Sequence, residues 1–141
     1  MVKVSPFFTF GGQCASAMEL YEKAFGAVVT YKARFSEASS KDFQYKDESK
    51  KDYIYHAQMK IGEQIIMLCD DSDGTLGTGT DVRSSELSLC VVFDTADEVK
   101  AAYEVMKDGA KIIVPMASAT YSNSYVFLTD KFGISWWIMS E

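Results

Sequence analysis

Apolar positions recur along this chain in two rhythms, and the same succession of rhythms occurs twice. Pro6-Phe7-Phe8-Thr9-Phe10 is aromatic and β-branched and ends at Gly11-Gly12, which reads as a short strand. Met18, Tyr21 and Phe25 then stand at i, i+3 and i+7, one face of a helix. Ser16 and Glu19 have capping-box spacing, and Gly26 sits where a left-handed C-cap belongs. Strands are predicted over 28–35, 52–61 and 64–69, with Gly62-Glu63 as the tight turn between the last two. The second half repeats the order. A strand over 86–93 leads to a helix from Ala96 to about Lys107, capped by Thr95 with Glu98 at the box position. Strands follow over 111–116, 124–129 and 134–140, with Asp130-Lys131-Phe132-Gly133 turning between the last pair.

The two helical stretches say the same thing twice. Ala17–Val29 and Val99–Ile113 are each a short amphipathic helix that stops at Gly-Ala and runs into β-branched residues. A repeated unit that cannot close a core alone needs its copy. The expected fold class is therefore α+β: tandem βαβββ modules, 4–70 and 86–141, joined by a loop over 71–85. One face of each mainly antiparallel sheet takes a helix. The two sheets together are expected to form a partly open, barrel-like single domain around a central cleft. Residues 36–51 are polar and long for a plain connection, which suggests a flap, with Phe43 and Tyr45 able to anchor it.

Charge narrows the partners. Twenty acidic residues against 14 basic ones give a net charge of −6, which opposes nucleic acid, whose phosphates need a basic footprint, and an anionic membrane surface. No apolar run approaches the ~20 residues of a membrane span, and residues 1–6 lack the apolar core of a signal peptide. Cys14, Cys69 and Cys90 form no CxxC pair; reduced thiols in a cytoplasmic protein are expected.

Four stretches together carry a family resemblance: Pro6–Gly12 with Cys14 and Ala17; Tyr21–Gly26; His56-Ala57-Gln58-Met59-Lys60-Ile61-Gly62; and Asp130–Gly133 with Trp136. In this order they resemble the PhnB-like branch of the vicinal oxygen chelate superfamily, which includes glyoxalase I, extradiol dioxygenases and bleomycin-resistance proteins. Some members of that branch carry a ubiquinone-methyltransferase label. The resemblance implies a homodimer, and in the metal enzymes it implies His or Glu ligands on the first and last strand of each half. The matching positions here are Pro6, Met67, Ser88 and Trp137. None is His, Asp or Glu. Sliding by one residue gives Ser5 or Phe7, Ile66 or Leu68, Leu87 or Leu89, and Trp136 or Ile138, which supplies no hard-cation ligand either. No metal and no cofactor are expected.

Other constellations are weaker. Asp70, Asp71, Asp73 and Gly74 lack the alternation and final Glu of a calcium loop, so a solvated loop is expected. Gly74, Gly77 and Gly79 reverse the dinucleotide fingerprint, and no helix opens after them. Nothing offers the Gly-rich first turn of a doubly wound sheet that S-adenosylmethionine would use. His56, the single histidine, is either a polar handle or acid/base in the cleft or a hydrogen-bonded strand residue. Phe8, Phe10, Tyr125 and Trp137 either fill the cleft or wall a pocket, with Met67 beside them and Ser88, His56 and Cys90 as sparse polar contacts. Two functions follow. The first is metal-free binding of a small hydrophobic or aromatic compound. The second is an enzyme that uses His56 as acid or base on a small carbonyl or phenolic substrate.

Overall fold

A computed structural model describes residues 1–41, 43–71, 87–119 and 122–141. The order βαβββ occurs twice, as the repeat predicts: β1 (Phe7–Phe10), α1 (Cys14–Phe25), β2 (Val28–Arg34), β3 (Ile54–Ile61) and β4 (Gln64–Asp70), then β5 (Leu89–Phe93), α2 (Ala96–Met106), β6 (Lys111–Ala119), β7 (Ser122–Thr129) and β8 (Ser135–Ser140). The chain forms two compact units, one built on β1–β4 and the other on β5–β8, with Lys23–Phe25 grouped with the second. The predicted start of the fifth strand at Glu86, most of the 71–85 loop, and the Gly74, Gly77 and Gly79 series lie outside the described residues.

In the first unit the strand order is β1-β4-β3-β2. β1 and β4 run parallel, and the other pairs are antiparallel. One face of the sheet is closed by α1. Phe8 meets Tyr21 edge to face with ring centroids 6.2 Å apart, and Cys14, Ala17, Tyr21, Ala57, Met59, Ile66 and Leu68 are fully buried. Each such Leu, Ile or Met contributes roughly 1.5–3 kcal/mol by leaving water. The helix begins three residues earlier than Ser16 and its box partner predict, with Cys14 and not Ala17 as its first residue. Gln13 stands at the N-cap without a side-chain hydrogen bond, and the missing acceptor comes from β4. Asp70 Oδ1 accepts the N–H of Gly12 at 2.8 Å and of Cys14 at 3.0 Å, and Oδ2 accepts that of Ile54 at 2.9 Å. Asp70 is 5% exposed, so it is a buried clamp and not the solvated loop acid that its neighbours suggest. Burial is the largest influence on this carboxyl and holds it above the usual carboxylate range, while the three amides pull the other way.

The second unit repeats the topology as β5-β8-β7-β6. α2 buries Val99, Ala102 and Met106, and Val126, Leu128, Trp136 and Ile138 are fully buried in the same unit. Here the helix is capped locally, as predicted: Thr95 Oγ1 accepts the N–H of Glu98 at 3.2 Å and donates to Glu98 Oε1 at 2.9 Å. Phe25 lies 4.7 Å from Trp136, ring to ring. The Asp130–Gly133 turn is held by Asp130, whose Oδ1 accepts from Phe132 N and Ile134 N and whose Oδ2 accepts from Trp136 Nε1 at 3.0 Å.

Gly12 has φ 111°, and a Cβ there would stand 2.7 Å from Tyr53 Oη. Gly12→Ala is therefore expected to lower stability by about 1–3 kcal/mol, read from its urea midpoint. Asp70→Ala strands three donors, two of them buried, and is expected to cost about 3 kcal/mol or more, against about 1 kcal/mol for Thr95→Ala. Because the folded state holds the Asp70 proton longer than the unfolded chain, unfolding free energy should fall as pH rises from the ordinary carboxylate range to the raised value. Asp70→Asn, with no proton to lose, should flatten that slope in pH-dependent denaturation.

Candidate functional site

The face of the first sheet away from α1 is set by alternation along β1 and β4. Phe8 and Phe10 are 6% and 4% exposed against the helix side, so Phe7 and Thr9 face the other way. By that alternation Phe8 and Phe10, expected at a pocket wall or filling the cleft, are buried on the side of the sheet that meets Tyr21. Pro6 precedes β1, its carbonyl accepting from Met67 N at 2.9 Å. Phe7, and not Pro6, stands opposite Met67 in the parallel register, and Met67 lies beside Gln58 across β3. Met67 is half-buried, between the fully buried Ile66 and Leu68, and so faces away from the core.

Two irregularities in the β2–β3 ladder complete this face. The register slips between Val29 and Tyr31, and again between Ala33 and Arg34, where Ala33 pairs with His56 but Arg34 pairs with Ile54. Tyr55 is the extra residue. A bulge of this kind re-aims side chains, so Ile54 and Ala57 are both fully buried while Tyr55 and His56 both turn outward. Tyr31, Tyr55, His56 and Gln58 line an open depression of about 560 Å³. The His56 ring lies between two others, 5.9 Å from Phe7 and 6.0 Å from Tyr31, each tilted by about 45°. Two phenols, an imidazole and an amide give donors and acceptors, and none of the four carries a fixed charge.

Tyr55 also touches a second aromatic group. Phe35, 2% exposed, meets Phe43 at 4.8 Å, Tyr53 at 5.6 Å and Tyr45 at 6.0 Å, and Phe43 lies 4.8 Å from Tyr55.

The second unit gathers three of the other expected residues on one sheet face. Trp137 stacks on Phe127 at 4.4 Å and 14° and lies 6.3 Å from Tyr125, and Cys90 stands opposite Trp137 in register. Ser88 is half-buried just ahead of β5. The thiols are poor nucleophiles. Desolvation raises the pKa of Cys14, Cys69 and Cys90 alike, which keeps them protonated. Among the described residues, no three His, Cys, Asp or Glu side chains converge in a way that would hold a metal ion.

Sequence reasoning missed Phe7, Tyr31, Tyr55, Gln58 and Phe127. The polar Thr9 marked the less buried side of β1. The bulges that turn Tyr31 and Tyr55 outward left no signal in the sequence.

Comparison with known proteins agrees with this architecture. Protein YjdN of Escherichia coli strain K12 is 27% identical over 147 residues, covering 96% of this chain and 92% of that protein. The crystal structure of protein PA1353 from Pseudomonas aeruginosa matches with a TM-score of 0.81 at 20% identity, covering 100% of this chain and 98% of that one. A putative 3-demethylubiquinone-9 3-methyltransferase, PhnB protein, from Bacillus cereus matches with a TM-score of 0.77 at 22% identity, covering 99% and 100%. The fold extends to a glyoxylase/bleomycin resistance protein/dioxygenase domain from Frankia sp. EAN1pec, at a TM-score of 0.64 and 14% identity over 99% and 98% of the two chains. The family model described as 3-demethylubiquinone-9 3-methyltransferase matches residues 2–139, and this chain belongs to that family, the PhnB-like branch of the glyoxalase and bleomycin-resistance fold.

Proposed function

We propose that this protein binds a small, uncharged aromatic compound against the open face of its first sheet. The observation that carries the reading is His56, held between the Phe7 and Tyr31 rings over a depression lined by Tyr31, Tyr55 and Gln58. Ring faces favour a flat apolar ligand, and the surrounding uncharged donors and acceptors orient it. Charged ligands find no fixed partner there and lose hydration on entry.

The metal chemistry that the resemblance implies does not fit the residues at its matching positions. Pro6, Met67, Ser88 and Trp137 offer a hard divalent cation no carboxylate or imidazole. Methyl transfer, the activity in the family's description, fits no better. Each sheet is four-stranded with a single parallel pair, unlike the doubly wound parallel sheet that presents a Gly-rich turn to a nucleoside cofactor. No step is assigned to either group.

A second reading is favoured by one arrangement. The His56 imidazole and the Tyr31 and Tyr55 phenols line the same depression, so His56 is placed to exchange a proton with a small carbonyl or phenolic substrate. We also read the protein as a cytoplasmic homodimer. Exposed Val28 on the edge strand β2 and Ile113 on β6 are compatible with pairing at a sheet edge, and no helix among the described residues is long and apolar enough to cross a membrane.

Titration with 4-hydroxyacetophenone, followed by the His56 ring resonances, tests the first reading. Saturable shifts are expected, with binding weakened on the order of threefold to tenfold in His56→Ala and by a similar factor or more when 4-hydroxybenzoate replaces the neutral compound. Equal binding of both compounds, or shifts confined to other residues, would sink it. Substrate turnover that disappears in His56→Ala together with its pH profile would select the second reading.

A further inference from the structure

The stretch 36–51, read from sequence as a flap, is closed at its base by two backbone bonds. Phe35 N donates to Tyr53 O at 2.8 Å, and Ser36 N to Lys51 O at 3.0 Å. Beyond that base, the segment's large apolar contacts are rings. Phe43 and Tyr45 stack on each other 6.4 Å apart, and both meet buried Phe35. Phe43 reaches the strand that carries His56, by its 4.8 Å contact with Tyr55. Tyr55 is half-buried at the bulge and lines the depression. It therefore belongs to both groups, the ring cluster that secures the segment and the wall that would meet a ligand.

The geometry points to Phe43 as a positioning residue for the depression, acting through Tyr55. A bulged residue lacks the ladder partners that fix its neighbours, so packing must set its ring orientation. Phe43 supplies that packing through its 4.8 Å ring contact. With Phe43 in contact, Tyr55 stands as a fixed wall beside His56. With Phe43 withdrawn, the wall loses its backing and the depression widens toward larger ligands. The coupling is reciprocal: a compound seated against Tyr55 holds the ring on Phe43 and so orders the 36–51 segment over the base of β3. The selection of small ligands rests on the binding function proposed above. The coupling itself does not.

Amide hydrogen exchange reads the coupling without any ligand, because Phe43 N–H donates to Ser39 O at 2.9 Å and is freed when the segment opens. In the full chain, Tyr55→Ala is expected to speed Phe43 exchange on the order of threefold to tenfold, with Val126 and Leu128 of β7 unchanged. Tyr55→Phe keeps the ring and should leave the rate near native. Saturating 4-hydroxyacetophenone should slow Phe43 exchange in the native chain and not in Tyr55→Ala. Phe43→Ala should weaken that probe severalfold, while Phe43→Leu recovers most of the affinity. Unchanged Phe43 exchange in Tyr55→Ala overturns the coupling whatever the probe does. If Tyr55→Ala loosens β7 as well, Phe43→Leu decides: shifted Tyr55 ring resonances support the contact and unmoved ones overturn it. Intact coupling with His56 resonances that ignore the probe removes only the ligand reading.

Discussion

One buried carboxylate organises the first unit. Asp70 ends β4 and receives three backbone N–H groups: two from the turn and first residue that start α1, and one from the start of β3. Those donors cannot be satisfied within their own elements, since the first N–H groups of a helix have no partner in it. Asp70 fixes where the helix begins, how Gly11-Gly12 leaves β1, and where β3 starts. Desolvation opposes this arrangement, so the clamp works only because all three donors are delivered together. Tyr53, packed against Gly12 and Phe35, sits immediately before the amide that Asp70 holds. The same clamp therefore frames the entry to β3 and the bulge that follows it.

The second unit solves the same problem differently. By strand register Phe10 pairs with Asp70 and Phe93 with Ser140, so Ser140 occupies the position of the clamp. Its hydroxyl is buried and without a hydrogen-bond partner. The helix there does not need it, because Thr95 and Glu98 cap α2 locally. Order in this unit comes instead from Asp130, which braces its own turn and the buried indole of Trp136. Two copies of one topology thus carry their buried carboxylates at different corners, a remote clamp in one and a turn brace in the other.

That difference bears on the candidate site. Bulges in β2–β3 turn Tyr31, Tyr55 and His56 to one face in the first unit. The second unit presents a stacked Phe127–Trp137 pair with Tyr125 and Cys90. The first face is polar at its rim and open. The second is an apolar aromatic surface. Hydrogen-bonding side chains of the depression are therefore concentrated where the ladder is irregular, the usual place for side chains to be re-aimed.

Local patterning was enough to establish the repeat, both helices, all eight strands to within a few residues, the Thr95 cap, the Gly26 C-cap and the Asp130 turn. Each depends on spacing or on residues close together in the chain. Alternation likewise assigns His56, Met67, Cys90, Tyr125 and Trp137 to a sheet face once the phase of each strand is known. The phase of β1 was not fixed by its sequence, because Phe7, Phe8 and Phe10 are all apolar, and only packing on Tyr21 chose Phe8 and Phe10 for the core. The role of Asp70 depended on donors 16 to 58 residues away, beyond the reach of any local rule. The outward turn of Tyr55 depended on a ladder slip that arises only when two strands pair. Short-range periodicity determines elements; faces, clamps and bulges are decided by partners that the chain meets only on folding.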